Sequence, residues 1–300
     1  MDLRELIGKG TVVGDGAMGT ELQGAGLEIG ECGERWVLEH PERIEAIHAS
    51  YMAAGSQVII TNSFGANRWV LGRYGLADRV EAVNREAARI ARRAAGDVVV
   101  VLGDIGPCGG FLRPLGEVDA GDLETEFVRQ AAALLEGGAD GIIIETMSAL
   151  EEVVAAVRAA RRAGAPLVAA SLAFDRLPNG NLRTMMGVSP EQAAKALAAE
   201  GVDLIGANCG TRMATSDFAR VVGAFRSAAP LPAAIQANAG SPELVDGRAV
   251  YGLSPEAFAD GMLDVVRAGG ALVGGCCGTT PAHIRALAAA VNRIGSSQRA

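Results

Sequence analysis

The stretch Gly274-Gly275-Cys276-Cys277-Gly278-Thr279-Thr280 places two adjacent cysteines between an apolar run and the start of a helix. Ala271-Leu272-Val273 precedes the pair, and Thr280-Pro281 after it is typical of an N-cap with proline in the first helical turn. The two cysteines therefore mark the point where a buried strand ends and a helix begins. Neighbouring side chains on a regular strand point to opposite faces, so the two thiols can converge only where the strand has broken.

The same arrangement occurs upstream at Leu204-Ile205-Gly206-Ala207-Asn208-Cys209-Gly210, where a third cysteine ends an apolar run. Working outward, eight such runs alternate with amphipathic helices, and most are apolar on both faces, as in strands covered by helices. The predicted strands are Thr11–Gly14, Gln57–Thr61, Val98–Gly103, Gly141–Glu145, Leu167–Ala173, Asp203–Ala207, Ala233–Ala237 and Ala271–Gly274.

Eight strand–helix units without a composition shift predict one (β/α)₈ TIM barrel, of class α/β, that occupies residues 1–300 as a single domain. A doubly wound open sheet is the structural alternative, but the similar spacing of the units favours closure. Helix starts are predicted at Ser189-Pro190 and Ser254-Pro255, and a capping box at Ser148-Ala149-Leu150-Glu151. Long loops at residues 24–37, 105–121 and 175–189 are expected on the face where barrel active sites lie.

Composition excludes several classes of function. Of 300 residues 40 are glycine, about twice the usual share of roughly 7%, which suits many tight strand-to-helix turns. A net charge of −8 without a basic run argues against nucleic acid and acidic membranes as partners. No apolar segment reaches the roughly 18 residues of a membrane span, and the N-terminus lacks a signal-peptide pattern. Five cysteines in a large chain favour a reducing cytoplasm and reactive or metal-bound thiols over a disulfide framework.

Closure of the barrel would gather the residues that follow each strand around one mouth. That set contains three thiols, two or three carboxylates and several amides. Three cysteines suit zinc, because three protein ligands with one open position is the catalytic arrangement. An all-thiolate site is a poor Lewis acid for hydrolysis but is suited to holding an incoming thiol as a thiolate. The sequence therefore predicts alkyl transfer to a thiol, with Asp15 and Glu145 available to hold an ammonium group.

Several motifs resemble those of the zinc-dependent homocysteine S-methyltransferase family, which includes the homocysteine-binding module of cobalamin-dependent methionine synthase and betaine–homocysteine methyltransferase. The resemblance extends from about Asp15 to His283. The motifs are Asp-Gly-Ala-Met-Gly-Thr from Asp15, Thr-Asn-Ser-Phe-Gly-Ala-Asn from Thr61, Ile-Glu-Thr-Met from Ile144, Gly-Ala-Asn-Cys-Gly from Gly206 and Gly-Gly-Cys-Cys-Gly-Thr-Thr from Gly274.

The resemblance implies a (β/α)₈ barrel and a role for each matched position. Cys209, Cys276 and Cys277 would bind Zn²⁺, and the homocysteine sulfur would take the fourth place. Asp15 and Glu145 would hold the amine of the substrate. Further binding roles are implied for the backbone at Gly16, Ala17 and Ser63, toward the carboxylate of the substrate, and for Asn238, near the metal. Cys32 and Cys108 are expected to be structural.

The family resemblance leaves the methyl donor open among betaine, S-methylmethionine and methylcobalamin. Thr146 follows Glu145 where the animal betaine enzymes have a tyrosine, which weakens the betaine interpretation. Trp36 and Phe64 are the candidate walls of a donor pocket. The expected activity is transfer of a methyl group to homocysteine, giving methionine, in the cytoplasm. Three alternatives stay open: a different thiol or selenol acceptor, a component of a system with a separate corrinoid protein, and a non-catalytic zinc-stabilised barrel. The oligomeric state is not predicted.

Overall fold

Eight parallel strands form the central sheet of the protein in the computed structural model, which describes residues 2–245 and 248–297. Labelled in chain order, they are β1 Val12–Val13, β2 Val58–Ile60, β3 Val100–Ile105, β4 Gly141–Met147, β5 Val168–Leu172, β6 Leu204–Asn208, β7 Ala233–Ala237 and β8 Gly270–Gly275. Every run that the sequence predicts as a strand overlaps one of them. The order around the sheet is β1-β8-β7-β6-β5-β4-β3-β2.

The edge between β1 and β2 closes through individual hydrogen bonds. The Gln57 N–H donates to the carbonyl of Val13 at 2.8 Å, and the side-chain Oε1 of Gln57 accepts from the Val13 N–H at 3.2 Å. Asp15 Oδ2 accepts from the Ile60 N–H at 2.8 Å. The predicted (β/α)₈ barrel is therefore confirmed, and the open-sheet alternative is wrong.

All the helices except the first follow strands, and they cover the outside of the barrel. They are Leu3–Lys9, Met18–Gly24, Trp36–Glu39, Pro41–Ala54, Arg68–Gly72, Val80–Ala95, Ala120–Glu136, Leu150–Arg162, Pro190–Ala199, Thr215–Ala228, Pro255–Ala268 and Pro281–Ser297. The starts at Ser189-Pro190 and Ser254-Pro255 are confirmed, and Ser189 forms a capping box with Gln192. The capping box predicted at Ser148 is wrong, because the N-cap is Ala149, whose side chain has no acceptor.

The barrel interior is apolar toward the N-terminal ends of the strands and polar toward their C-terminal ends. Its lower layers are a hydrophobic cluster that includes Val100, Leu102, Ile143 and Leu204. Leu3 of the first helix belongs to the same cluster, so this helix, which the sequence analysis did not predict, covers the N-terminal end of the barrel. Side chains of a strand alternate between its faces. The inward series therefore continues toward the C-terminal mouth with polar side chains, at Asp104, Glu145, Asn208 and Gln236.

Loops at the C-terminal mouth include two antiparallel hairpins. One pairs Asp175–Arg176 with Leu182–Arg183 inside a loop that the sequence predicts to be long. The other pairs Pro242–Val245 with Arg248–Tyr251 after β7, where no long loop was predicted. In the part of the chain that the structure describes, no helix combines the length and apolar character needed to cross a bilayer.

Candidate active site

Three sulfur atoms meet at the mouth of the barrel. The Sγ atoms of Cys209, Cys276 and Cys277 all lie within 4.8 Å of one another, and those of Cys276 and Cys277 are 3.9 Å apart. Cys209 follows β6 directly, and the cysteine pair follows β8. All three cysteines are free thiols in the structure. The three side chains that the sequence predicts at one centre therefore lie together, and their role as metal ligands stays a prediction.

The backbone leaves regular strand geometry at both cysteine positions. Cys209 has a φ of 55°, in the left-handed region that residues other than glycine rarely adopt. Beyond the pair, Gly278 has a φ of 77°, and a Cβ atom there would lie 2.1 Å from Cγ of Tyr251. Glycine is required at 278 both by this φ and by the close approach of the tyrosine ring. The strand break that the sequence predicts therefore lies after β8, and it allows both thiols of the pair to point toward one centre.

Each sulfur has its own polar side-chain partner. Asn208 Nδ2 lies 3.8 Å from Cys276 Sγ, and Asn238 Nδ2 lies 3.8 Å from Cys209 Sγ. The Tyr251 hydroxyl is hydrogen-bonded to the thiol of Cys277. Such partners fix the orientation of metal ligands in proteins.

Asn208 is held in place by a network of its own. It is fully buried, and its Oδ1 accepts from the Thr146 N–H at 2.9 Å and from the Ser171 hydroxyl at 2.7 Å. The sequence analysis did not select Asn208 or Tyr251 as functional residues. Asn208 carried a signal, since it adjoins Cys209 at a strand end. Tyr251 carried none, because it reaches the site from a hairpin whose position depends on the tertiary structure.

The three thiols differ in the direction in which their pKa values are shifted. Hydrogen bonds from the thiols of Cys276 and Cys277 lower the pKa of Cys209. The pKa of Cys276 and that of Cys277 are raised, because each hydrogen-bonds to the sulfur of Cys209.

Two predicted carboxylates, Asp15 and Glu145, interact with each other, and the charge of Cys209 acts on Glu145. Asp15 is 3% exposed, and burial raises its pKa well above the usual range, an effect opposed by the hydrogen bond from Ile60 and increased by the charge of Glu145. Burial and the negative charge of Cys209 raise the pKa of Glu145 to about 7, while a hydrogen bond with the side chain of Gln236 acts in the opposite direction. Both carboxyl groups therefore favour a cationic neighbour.

The other predicted binding groups are partly engaged within the protein. The Ala17 N–H donates to Thr279 Oγ1 at 3.0 Å. A Cβ atom at Gly16 would lie 2.7 Å from the same Oγ1, so the backbone passes this hydroxyl closely. The Ser63 hydroxyl is buried and donates to the carbonyl of Asp104 at 2.8 Å. A substrate carboxylate bound at Ala17 would compete with Thr279, and the roles of Gly16, Ala17 and Ser63 stay predictions.

A cavity of about 700 Å³ opens beside the thiols. Its walls include Cys209, Asn238 and Tyr251 near the sulfur centre, together with Thr146 and Met185. This volume suits a small organic ligand. The cavity is the space through which a second substrate can reach Cys209.

The structure does not bring Trp36 to this cavity. Trp36 is buried in the core below the guanidinium of Arg43, whose Cζ lies 4.9 Å from the ring centroid. Phe64 is partly exposed at the mouth and packs on Gly106, but it is not among the residues that form the cavity wall. A tryptophan in a short helix is equally consistent with packing and with binding. Here the side chain of Trp36 packs in the hydrophobic core.

The remaining cysteines lie outside the sulfur cluster, as expected. Cys32 Sγ donates to Glu34 Oε2 at 3.4 Å, and Cys108 Sγ donates to the carbonyl of Gly110 at 3.5 Å. Both are buried, and burial raises their pKa values, to about 11 for Cys32 and about 12 for Cys108. Thiols with such pKa values are protonated at neutral pH and unreactive.

Known proteins resemble this chain over nearly its whole length. Methionine synthase of Mycobacterium tuberculosis is 36% identical over 312 residues, which cover 99% of this chain and 26% of that protein. Betaine–homocysteine S-methyltransferase 1 of Rattus norvegicus is 29% identical over 299 residues, which cover 92% of this chain and 71% of that protein. The chain thus spans about a quarter of the length of the methionine synthase that it matches.

Comparison of structures gives the same grouping. The metallated form of the homocysteine methyltransferase MmuM from Escherichia coli superposes with a TM-score of 0.78 and 25% sequence identity, over 96% of this chain and 99% of that one. The family model described as homocysteine S-methyltransferase matches residues 12–291, from β1 into the last helix. The chain therefore belongs to the homocysteine S-methyltransferase family.

Proposed function

We propose that this protein transfers a methyl group to the sulfur of homocysteine, giving methionine, with Zn²⁺ held by Cys209, Cys276 and Cys277. The observation that carries the proposal is the convergence of the three Sγ atoms within 4.8 Å at the edge of an open cavity that Cys209 lines. The membership of the homocysteine S-methyltransferase family and the likeness to a metallated homocysteine methyltransferase support it.

The three cysteines fit zinc by separation and by chemistry. Four ligands at about 2.3 Å in a tetrahedron stand roughly 3.8 Å apart, and the sulfurs of Cys276 and Cys277 are separated by 3.9 Å. Asn238 Oδ1 is buried beside Cys209 and has no hydrogen-bond partner within residues 2–245 and 248–297. An oxygen so placed is a candidate for the fourth position before homocysteine binds. Zinc held by three thiolates would lower the pKa of an incoming thiol and leave its sulfur electron-rich.

The side chains of the protein orient both substrates. Asp15 and Glu145 face the amine of homocysteine, and Asn208, Asn238 and Tyr251 fix the three sulfur ligands. The acceptor thiol releases its proton to solvent, and its sulfur attacks the methyl carbon in line with the leaving group. The new carbon–sulfur bond forms as the bond from the methyl to the donor atom breaks, and the electron pair of that bond leaves with the donor.

The cavity favours a positively charged small-molecule donor. Carboxylates of Glu151, Glu152 and Asp175 line it, against the single guanidinium of Arg113. A cationic methyl compound such as betaine or S-methylmethionine would lose its positive charge when the methyl leaves. Phe111 and Tyr251 supply aromatic faces in the same cavity, which are suited to a quaternary ammonium or sulfonium group.

A second candidate donor is a methylated corrinoid on a separate protein. Large apolar side chains are exposed around the cavity: Phe111 (48%), Leu115 (71%), Met185 (66%) and Met186 (36%). Apolar groups at the entrance to a site often mark a docking surface. The similarity to one module of methionine synthase is in line with this alternative.

A donor panel tests the proposal. Zinc-loaded protein is incubated with homocysteine and one of betaine, S-methylmethionine, methylcobalamin or methyltetrahydrofolate, and methionine is quantified by mass spectrometry. Methionine from a cationic donor, lost in Cys276→Ser, supports the proposal. Methionine from methylcobalamin alone favours the corrinoid candidate. Zinc binding without methionine from any donor favours the non-catalytic barrel, and turnover only with a different thiol or selenol would replace homocysteine as the acceptor.

A further inference from the structure

Asp104 is a buried carboxylate with an unused acceptor. It lies on β3 on the inward face that Val100 and Leu102 occupy lower in the barrel, and it is 3% exposed. Its backbone is fully engaged, since its N–H donates to Thr61 Oγ1 at 2.9 Å and its carbonyl accepts from the Ser63 hydroxyl at 2.8 Å. Its Oδ1 has no hydrogen-bond partner among the described residues.

The carboxyl groups around Asp104 each have a hydrogen-bond partner, whereas Oδ1 of Asp104 has none among the described residues. The charges of Glu145, Glu34 and Asp15 all act on Asp104. Asp15 accepts from the Ile60 N–H, Glu145 is hydrogen-bonded to Gln236, and Glu34 accepts from the Gly65 N–H. None of the ion pairs found within residues 2–245 and 248–297 includes Asp104, Asp15 or Glu145. Asp15 and Asp104 are each 3% exposed, and carboxylates buried without a cation are costly, so a cationic ligand is the natural partner of this group.

We propose that Asp104 is a third acceptor for the substrate's ammonium group and a determinant of specificity for thiols that carry an amino group. The inference rests on the proposed function and extends it to a residue outside the motifs that define the family resemblance. An ammonium group has three N–H donors, and the inward layer offers three carboxylates, from Asp15, Glu145 and Asp104. Of the three, Asp104 has an oxygen, Oδ1, without a donor among the described residues, so it gains most from the ligand.

The test compares two ligands that differ only by the amine. Zinc-loaded wild-type protein and Asp104→Asn are titrated by calorimetry with L-homocysteine and with 4-mercaptobutanoate, which has the same thiol and carboxylate but no amino group. The expected result is a loss of about tenfold or more in the affinity of Asp104→Asn for homocysteine, with less than a threefold change for 4-mercaptobutanoate. Asp104→Ser removes the carboxylate with a smaller side chain and is expected to show the same selectivity.

Asp217→Asn is the matched control, because Asp217 is equally buried but already pairs with Arg220 at 2.9 Å. It is expected to leave the ratio of the two affinities unchanged. Thermal melts without ligand are expected to show no loss of Tm in Asp104→Asn, since Oδ1 of the carboxylate has no hydrogen-bond partner among the described residues. Equal losses for both ligands, or none for either, would overturn the assignment of Asp104. Failure of the wild-type protein to bind homocysteine would instead contradict the proposed function.

Discussion

The Asp15 carboxylate accepts a hydrogen bond from the Ile60 backbone N–H at 2.8 Å and thereby bridges β1 and β2. At this edge the barrel closes through individual hydrogen bonds, whereas ladders of backbone hydrogen bonds link the other neighbouring strands. The same side chain feels the charge of Glu145 at the candidate substrate site. Asp15 thus belongs both to the closure of the barrel and to its mouth.

Substitution of Asp15 separates these two roles. Asp15→Ala leaves the Ile60 N–H without its acceptor, which is expected to lower the free energy of unfolding by about 1–3 kcal/mol. Asp15→Asn keeps a side-chain oxygen and is expected to be more stable than Asp15→Ala, yet to bind homocysteine weakly. Urea denaturation measures the first effect and calorimetry the second. Equal stability of the two variants would show that the bond to Ile60 contributes nothing.

Removal of one sulfur is expected to abolish the metal site. Wild-type protein should retain about one zinc per chain after dialysis, and Cys276→Ser should retain far less, because two thiolates do not complete the catalytic set of three ligands. Cys108→Ser is the matched control, since Cys108 is buried and lies outside the cluster. Zinc is quantified by mass spectrometry of the purified protein. Full retention of zinc in Cys276→Ser would show that Cys276 is not a ligand of the metal.

The partner of Cys276 can be tested separately from the cysteine. Asn208→Ala removes the Nδ2 donor near Cys276 Sγ and is expected to weaken zinc affinity by about 10–100-fold, as for other residues that orient metal ligands. Ser171→Ala removes only one hydrogen bond to Asn208 and should have a smaller effect. Competition with a chromogenic chelator gives both affinities. An effect of Ser171→Ala as large as that of Asn208→Ala would argue against a direct role for the amide.

Loss of the proton from Glu145 should make the metal-free protein less stable as pH rises. Burial and the charge of Cys209 raise its pKa from an ordinary value of 4.5 to about 7, so the folded state holds the proton more tightly than the unfolded chain. The corresponding stability is fully present below about pH 4.5 and is lost as pH rises through about 7. In the presence of a chelator, Glu145→Gln should therefore lose less stability than wild type between pH 5 and pH 8.

Glu200→Gln controls for the loss of a carboxylate, because the pKa of Glu200 is lowered by its hydrogen bond with Arg158 and its titration falls below that window. Urea midpoints at several pH values provide the measurement. Identical pH profiles for wild type and Glu145→Gln would contradict the assignment of a raised pKa to this group.

The sequence was sufficient to predict the parts of the site that depend on strand ends. Apolar runs predict buried strands, and parallel strands bring their C-terminal ends to one face, so Cys209, Cys276 and Asp15 could be gathered without coordinates. The eight-unit pattern likewise predicted closure. The bond from Ile60 to Asp15 was not predictable, because no local pattern shows how the last two neighbours around a barrel meet.

Residues delivered by loops were the ones that sequence reasoning missed. Tyr251 reaches Cys277 from the hairpin after β7, and nothing in its local sequence indicates which end of the barrel its ring will face. Trp36 shows the converse, because an aromatic residue near the mouth in sequence is buried in the core in space. Asp104 was visible as a strand-end carboxylate, but its lack of a partner is a property of the packed interior alone.

The amide proton that Ile60 shares with Asp15 offers a spectroscopic reporter inside the barrel. Ammonium binding would draw electron density on the carboxylate away from this N–H, so the ¹⁵N and ¹H resonances of one backbone group should follow ligand occupancy directly. Its exchange with deuterated solvent should become faster at the same time, since a weakened hydrogen bond to Asp15 protects the amide less. One backbone amide would then report both the ligand occupancy of the site and the stability of the contact between β1 and β2.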